Sequence, residues 1–315
     1  MSFSYTISVR LMTYNHAPFI REAMDGILIQ QTSFPVEVVV GDDFSTDGTL
    51  DIIREYRSTE NIHIRILERQ KGDIYHQERQ KLGRIHNFQN ILDNCTGKYI
   101  ALLDGDDYWT DPLKLQKQVD FLEQNSLFSC SAHQSFIIYE DSSNRTSKKF
   151  AENVSSELTI HDFLGHRKFH TASIVFRADI IRKHFLPLNI VSADRALILL
   201  LGSYGKVKYF EDEMCCYRKN TGGISSWVSA KMLAKDLNIL PWIKKINPEF
   251  PRGQYAHFIY TTILFYPPVI STTEVLKYSS LFIVSSFVYF PKNLRKMAYF
   301  LLNQFPKLLR KSKKR

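Results

Sequence analysis

The sequence predicts an α/β fold: a mostly parallel sheet flanked by helices, followed by a helical, basic C-terminal appendage. Three observations lead there. Segments of strand and helix period alternate from Thr6 to Leu103, the run Val36-Glu37-Val38-Val39-Val40 is nearly unbroken in its apolarity, and ten basic residues with no acidic one follow Glu274. Taken in order, Thr6 to Met12 reads as a buried strand, because Ile7, Val9 and Leu11 alternate with smaller or polar positions. A turn follows at Thr13 to Pro18, and Ile20, Ala23, Met24, Ile27 and Leu28 then recur with the spacing of one helical face. The run from Val36, bounded by Pro35 and Gly41, fits a central parallel strand covered on both sides.

The alternation continues with a helix from Leu50 to Tyr56, a strand at Ile62 to Leu67, a helix near Ile85 to Leu92, a strand at Tyr99 to Leu103 and a helix from Leu113 to Gln124. Such a run builds a twisted sheet with helices on both faces, and ligands bind such sheets beyond the carboxyl ends of the strands. The polar loops after Met12, Val40 and Leu103 are therefore expected to line one crevice. Farther on, the pattern is less regular. Asp141 to Ser156 reads as an exposed loop, Asp194 lies in a helix, and two strands, Val207 to Phe210 and one ending in Cys215-Cys216-Tyr217-Arg218, precede a loop at Asn220 to Gly223.

Composition excludes several classes. At 315 residues with 44% hydrophobic and 23% charged residues, the chain can bury a core and is neither disordered nor fibrous. The net charge of +9 is local to the tail, since without the ten basic residues after Glu274 the body stands at −1 and has no footprint for tracking nucleic acid. Cys95, Cys130, Cys215 and Cys216 have neither the spacing of a zinc site nor a suitable bridging partner, which predicts reduced thiols and a cytosolic setting. Met1 to Met12 carries one basic residue, Arg10, inside an apolar run, so no secretory signal is expected.

Chemistry concentrates at two acidic turns. Leu103-Asp104-Gly105-Asp106-Asp107 sets three carboxylates at a strand end, where a hard divalent cation (magnesium or manganese) would relieve their repulsion; a solvated acidic turn is the alternative. In Gly41-Asp42-Asp43-Phe44-Ser45-Thr46-Asp47-Gly48-Thr49, Asp47 suits a helix cap and Asp43 a ligand.

These turns, with Thr13-Tyr14-Asn15, resemble glycosyltransferase family 2, the inverting nucleotide-sugar transferases of the GT-A (Rossmann-like) fold. The likeness covers roughly residues 5 to 225. Gly97-Lys98-Tyr99-Ile100, Asp104-Gly105-Asp106-Asp107 and Asp111-Pro112-Leu113 match its third motif nearly throughout, while Gly41 and Phe44 depart from the residues common in its second. The resemblance implies that Thr13 and Asn15 sit near the nucleotide, that Asp43 contacts the base, expected to be uracil, and that Asp104, Asp106 and Asp107 hold the metal, with Asp106 also at the nucleotide. Arg84 and Asn87 fall where the family places residues facing the diphosphate; a surface-helix Arg is the alternative. Arg218 matches the segment that closes over the diphosphate, where it would offset leaving-group charge. No His follows it as in many relatives, so no further metal ligand is expected.

A sugar hydroxyl needs a base, and Asp194 in Val191-Ser192-Ala193-Asp194-Arg195 occupies the place of the family's acidic helix start, with Ala193 where many members have Glu. An Asp favoured by the helix dipole is the alternative reading. His170 is a candidate for the acceptor pocket or a structural histidine. The expected partners are a nucleotide-sugar donor and a surface-glycan or lipid-linked saccharide acceptor.

The expected division is a transferase domain over 1–228 and a helical region over 229–315. In the latter, Ser279 to Phe290 is uncharged but too short to span a membrane, whereas the aromatic residues from Phe282 to Phe305 and the basic end Lys307 to Arg315 predict peripheral attachment to an anionic membrane's cytoplasmic face. A helical appendage with a solvated charged end is the alternative. Two other functions compete. A nucleotidyltransferase would carry a glycine-rich loop after the first strand, and Thr13 to Ile20 contains no glycine. A non-catalytic membrane-binding protein would have no reason to keep the carboxylate spacing.

Overall fold

The computed structural model describes residues 5–139, 146–219, 229–265, 271–290 and 294–312. The chain divides into two units, one formed by Met1–Phe163, Arg167–Leu188 and Leu197–Thr221, the other by Leu164–His166, Asn189–Ala196 and Gly222–Arg315.

The first unit opens with β1 (Ile7–Thr13), α1 (Ile20–Leu28), β2 (Val36–Asp42), α2 (Thr49–Glu55), β3 (Ile62–Ile66), α3 (Ile74–Leu82), α4 (Arg84–Asn94) and β4 (Tyr99–Asp104). It continues through β5 (Tyr108–Trp109), α5 (Lys114–Gln124), β6 (Phe128–Tyr139), β7 (Thr146–Lys149), β8 (Glu157–Leu158), β9 (Val175–Arg177) and α6 (Ala178–Arg182). Helix α7 (Ala193–Tyr204) begins within the second unit's residues, and β10 (Lys206–Lys219) completes the sheet. The strand order is β3-β2-β1-β4-β9-β6-β10-β5, with β7 on β6 and β8 on β10. Strands β3, β2, β1 and β4 are mutually parallel, as are β6 and β10, whereas β9 runs antiparallel to both β4 and β6.

Apolar periodicity places the core where expected. Ile7, Val9, Leu11, Val36, Val38, Val40, Ala101 and Leu103 are fully buried with Ile20, Met24 and Ile27 of α1. Glu37 interrupts the β2 run because it is an internal connector: Ser8 Oγ donates to it at 2.5 Å, Arg65 Nη2 at 2.9 Å and the Thr96 amide at 2.9 Å. Burial opposes its ionisation, yet these donors outweigh burial and hold its carboxyl below the usual range. Gly97 marks the closest approach, since a Cβ there would lie 2.5 Å from the Ser8 nitrogen and 2.6 Å from the Ile7 carbonyl carbon. Gly97→Ala is therefore expected to destabilise the protein by about 2 kcal/mol in urea unfolding, because the obstacle is backbone that cannot rotate away.

Three differences from the sequence reading have physical causes. Helix α3 buries no residue and so has no apolar stripe to detect; it is started by Asp73, whose side chain accepts from the His76 amide at 2.6 Å. Strand β6 is buried but polar, with Ser129, Ser131, His133, Gln134 and Ser135 all inside. Part of the stretch expected as a loop is strand β7, paired antiparallel with β6. In addition, the two strands expected around Val207 and Cys215 are one, since β10 passes through Glu211-Asp212-Glu213 by register shifts against β6 instead of ending there. All four cysteines are buried and none is joined in a disulfide.

The second unit is helical: α8 (Ala230–Leu233), α9 (Ile239–Ile246), α10 (Arg252–Phe265), α11 (Thr272–Tyr289), α12 (Leu294–Tyr299), a π segment at Phe300–Gln304 and α13 (Phe305–Ser312). Phe300 is its buried anchor, with ring centroids 4.9 Å from Phe282 and 5.6 Å from Phe265. Helix α11 starts in a capping box between Ser271 and Glu274. Among the described residues no helix is long and apolar enough to cross a membrane. The Asn220 to Gly223 loop and the last three basic residues, Lys313 to Arg315, lie outside the described residues.

Candidate active site

Parallel pairing aligns the carboxyl ends of three strands, with Met12 opposite Asp104 and Thr13 opposite Asp42. The loops that follow are tied together. Asn15, in the left-handed region at φ 52°, accepts from the Thr46 amide at 2.8 Å and donates its own amide to Ser45 Oγ at 2.8 Å. The His16 amide donates to Thr49 Oγ1 at 2.8 Å and the Ala17 amide to Asp47 Oδ2 at 2.9 Å. Asp47 also receives the amide of Thr49, the first residue of α2, at 3.1 Å, while the N-cap position itself is Gly48 and not Asp47, and Asp42 is occupied by the Ser45 amide at 2.8 Å. Thr13 is buried at the base of this junction, and its amide carbonyl accepts from Asp43 at 2.9 Å.

Asp43 is gripped by Arg79, whose Nη2 lies 2.6 Å from Oδ2 and whose Nε lies 2.9 Å from both oxygens; the Tyr75 hydroxyl is 3.4 Å away. A base contacting this carboxylate would share it with the Arg79 fork. Behind it, Arg69 lies 3.8 Å from the Tyr75 ring centre and donates to the Asp42 carbonyl and to Asn87 Oδ1, both at 2.8 Å, and to Asn90 Oδ1 at 2.7 Å. Burial lowers the Arg69 pKa. Asn87 is thus buried as a partner of Arg69, while Arg84 begins α4 just after Gly83, which has φ 77°. Arg79 and Arg69 escape sequence reasoning because their partners lie far along the chain; only a basic residue after β3 and one on α3 hint at them.

The second acidic turn divides its three carboxylates among different surroundings. Asp104 takes a 2.8 Å hydrogen bond from Arg10 Nη2, and the Arg10 guanidinium, wholly buried on β1, lies 4.6 Å from the Phe88 ring centre. Asp106 is partly open, with Oδ2 4.0 Å from His16 Nε2. Asp107 is buried: its Oδ1 accepts from the Arg218 amide at 2.9 Å, and its Oδ2 lies 3.6 Å from His170 Nδ1. Burial, then repulsion from Asp106 and Asp104, pushes its carboxyl well above the usual range. His170 stacks on Tyr217, centroids 4.0 Å apart.

The Arg218 side chain is buried against the same turn. Its Nε donates to the Asp106 carbonyl at 3.0 Å and its Nη2 to Glu22 at 2.9 Å, with Phe19 and Tyr108 rings flanking the guanidinium at 4.8 and 5.3 Å. Its charge sits within the floor of the turn. Glu22 is the residue that sequence reasoning did not pair with it.

Among the described residues no three His, Cys, Asp or Glu side chains converge as a cage for a metal ion. The donor chemistry nonetheless fits a hard cation with few protein ligands. Asp106 and Asp107 are adjacent carboxylates, and the burial and mutual repulsion that together raise Asp107 are what a cation completed by water and phosphate oxygens would offset.

Asp194 belongs to the second unit, in the first turn of α7. Its Oδ1 accepts from the Arg195 amide at 2.9 Å, and Arg195 Nη1 donates to the Gly165 carbonyl at 3.0 Å. The turn ahead of it is pinned by Asp236, a buried residue whose Oδ1 accepts from the Val191 amide at 2.7 Å and the Ser192 amide at 3.1 Å. Asp236 has no local sequence signal, since its partners are more than forty positions away.

The profile of the family described as Glycosyl transferase family 2 matches residues 8–185. An uncharacterised protein of Mycobacterium tuberculosis is 34% identical over 224 residues, which cover 71% of this chain and 61% of that protein, so the chain spans about three fifths of the length of such relatives. The putative teichuronic acid biosynthesis glycosyltransferase TuaG of Bacillus subtilis is 34% identical over 122 residues, covering 38% of this chain and 43% of its own. Among solved structures, S. aureus TarS 1–349 in complex with UDP aligns with TM-score 0.62 and 15% identity, covering 98% of this chain and 90% of that one. The mannosyltransferase PcManGT of Pyrobaculum calidifontis, in complex with GDP-Man and Mn2+, aligns with TM-score 0.52 and 15% identity, covering 99% and 85%. At these identities the likeness shows the shared fold.

Proposed function

Because the chain belongs to glycosyl transferase family 2, we propose that it transfers a sugar from a nucleotide-sugar, a UDP-sugar, to a hydroxyl of a surface-glycan or lipid-linked saccharide, with inversion at the anomeric carbon. The observation that carries the reading is the Asp104 to Asp107 turn at the carboxyl end of β4, beside the cross-tied loops of β1 and β2. TarS, solved with UDP, supports the donor nucleotide, and the teichuronic acid role named for TuaG supports a cell-surface polymer as acceptor.

In the proposed reaction the acceptor oxygen bonds to the anomeric carbon as the bond from that carbon to the diphosphate oxygen breaks, and the acceptor proton passes to Asp194. Asp106 and Asp107, with Asp104, would hold a divalent cation, which supplies Lewis-acid neutralisation of the departing diphosphate's charge. Arg10 orients Asp104, and the Arg218 amide orients Asp107. Thr13, Asn15 and Asp43 border the nucleotide.

Titration calorimetry of UDP, GDP and dTDP, each with and without manganese, tests this directly. The expected result is binding of UDP that requires the metal; a folded protein that binds none of the three would overturn the reading. Asp194→Asn is expected to lower kcat on the order of a hundredfold while leaving UDP affinity unchanged. An undiminished kcat would remove Asp194 as the base.

A further inference from the structure

Helix α11 carries apolar residues on both of its sides. Its inward side holds Val275, Tyr278 and Phe282 with Ser279, Ser285 and Ser286, whereas its outward side carries Leu276, Val284, Phe287 and Val288, exposed by 48%, 61%, 54% and 62%, together with Lys277 and Ser280. Positions 276, 284, 287 and 288 share one face of a helix, where a helix facing water carries mostly polar residues. Two of the three buried serines are paired within the unit. Ser285 and Ser286 Oγ donate to the Phe282 carbonyl at 3.0 and 2.7 Å, and Ser285 Oγ lies 2.9 Å from His257 Nδ1 on α10. With its inner side already packed through Phe282 on Phe300, the helix has a second apolar face left over, as a helix lying in a membrane interface does.

Charge selects the occupant. Lys277 is exposed beside Leu276, and the segment after Glu274 has ten basic residues and no acidic one. A twofold contact between two copies of this face would set the same positive segment against itself, whereas an anionic leaflet complements it. At 18 residues and without the apolarity to span, the helix suits the interface plane. We propose that the outward face of α11 is the surface by which the protein docks on an anionic bilayer, with Leu276, Val284, Phe287 and Val288 entering the acyl boundary. The apolar part of the contact is thus assigned to α11, ahead of the basic terminal segment. This inference does not depend on the transfer reaction.

The test is co-sedimentation of the full chain with vesicles of phosphatidylcholine plus phosphatidylglycerol and with vesicles of phosphatidylcholine alone. The expected result is tighter binding to the anionic vesicles, weakened by salt. The double variant Val284→Glu/Phe287→Glu is expected to lose affinity by at least about tenfold with unchanged circular dichroism, since it sets two charges where apolar atoms enter lipid. In a Phe287→Trp variant, tryptophan emission is expected to shift to the blue on vesicles. No vesicle binding by the natural chain, or undiminished binding by the double variant, overturns the proposal. A dimer in light scattering that the double variant dissolves also overturns it, assigning the face to a second copy. Nucleotide binding, measured without vesicles, reports separately on the transferase site.

Discussion

Asp107→Asn is expected to lower transferase turnover by about a thousandfold while leaving the protein folded. The amide preserves the shape and can still accept from the Arg218 amide, whose 2.9 Å bond holds the side chain. What it removes is the negative charge beside Asp106. In the proposed site that charge is a ligand to the cation that offsets the diphosphate, and losing several kcal/mol of transition-state charge stabilisation corresponds to a factor of this size. Stability points the other way. The Asp107 carboxylate is buried among like charges, so without metal or donor the neutral side chain is expected to raise the melting temperature. Kinetics, metal-dependent UDP calorimetry and thermal unfolding together check this: full activity in the variant would exclude Asp107 from cation binding, and a large drop in melting temperature would make its role structural.

Lys114→Met is expected to stabilise the protein near neutral pH and to remove a pH dependence of about 5 kcal/mol. The Lys114 ammonium is fully buried, 4.2 Å from the Trp109 ring centre, and donates to Gln118 Oε1 at 2.8 Å. Burial lowers its pKa to about 7, against roughly 10.4 for an unfolded lysine. Between those values the unfolded chain binds a proton that the folded one lacks. Stability attributable to this group therefore rises with pH, by about 1.4 kcal/mol per unit, from about 7 to about 10.5, and its penalty is fully present below that window. The methionine variant loses the penalty but leaves Gln118 Oε1 without its donor, which returns about 1–3 kcal/mol. Urea unfolding of both proteins from pH 6 to pH 10 reads the difference, and parallel curves would show that Lys114 titrates normally.

Much of the first unit was legible in the sequence. Strands β1, β2, β3 and β4 and helices α1, α2, α4 and α5 follow from apolar period, because each buries one stripe or both faces against the same core. Helix α3, with no buried residue, and strand β6, whose inward positions include serine, histidine and glutamine, carry no such signal. The places of the acidic turns were legible for a related reason: each closes a strand that its apolar period locates.

The sequence by itself determined where β1, β2 and β4 end and which carboxylates stand there, since both depend on neighbours within a few positions. Only the tertiary structure decided what those carboxylates touch. Arg10 meets Asp104 across 94 positions, Arg79 meets Asp43 across 36, and Arg218 meets Glu22 across 196. Such pairs form because a charge in the interior must find a partner of opposite sign, and which one it finds depends on the packing of distant elements. The same holds for α11, whose Phe282 packs on Phe300 and whose Ser285 meets His257 of α10, so that a second set of apolar residues, Leu276, Val284, Phe287 and Val288, is left outside.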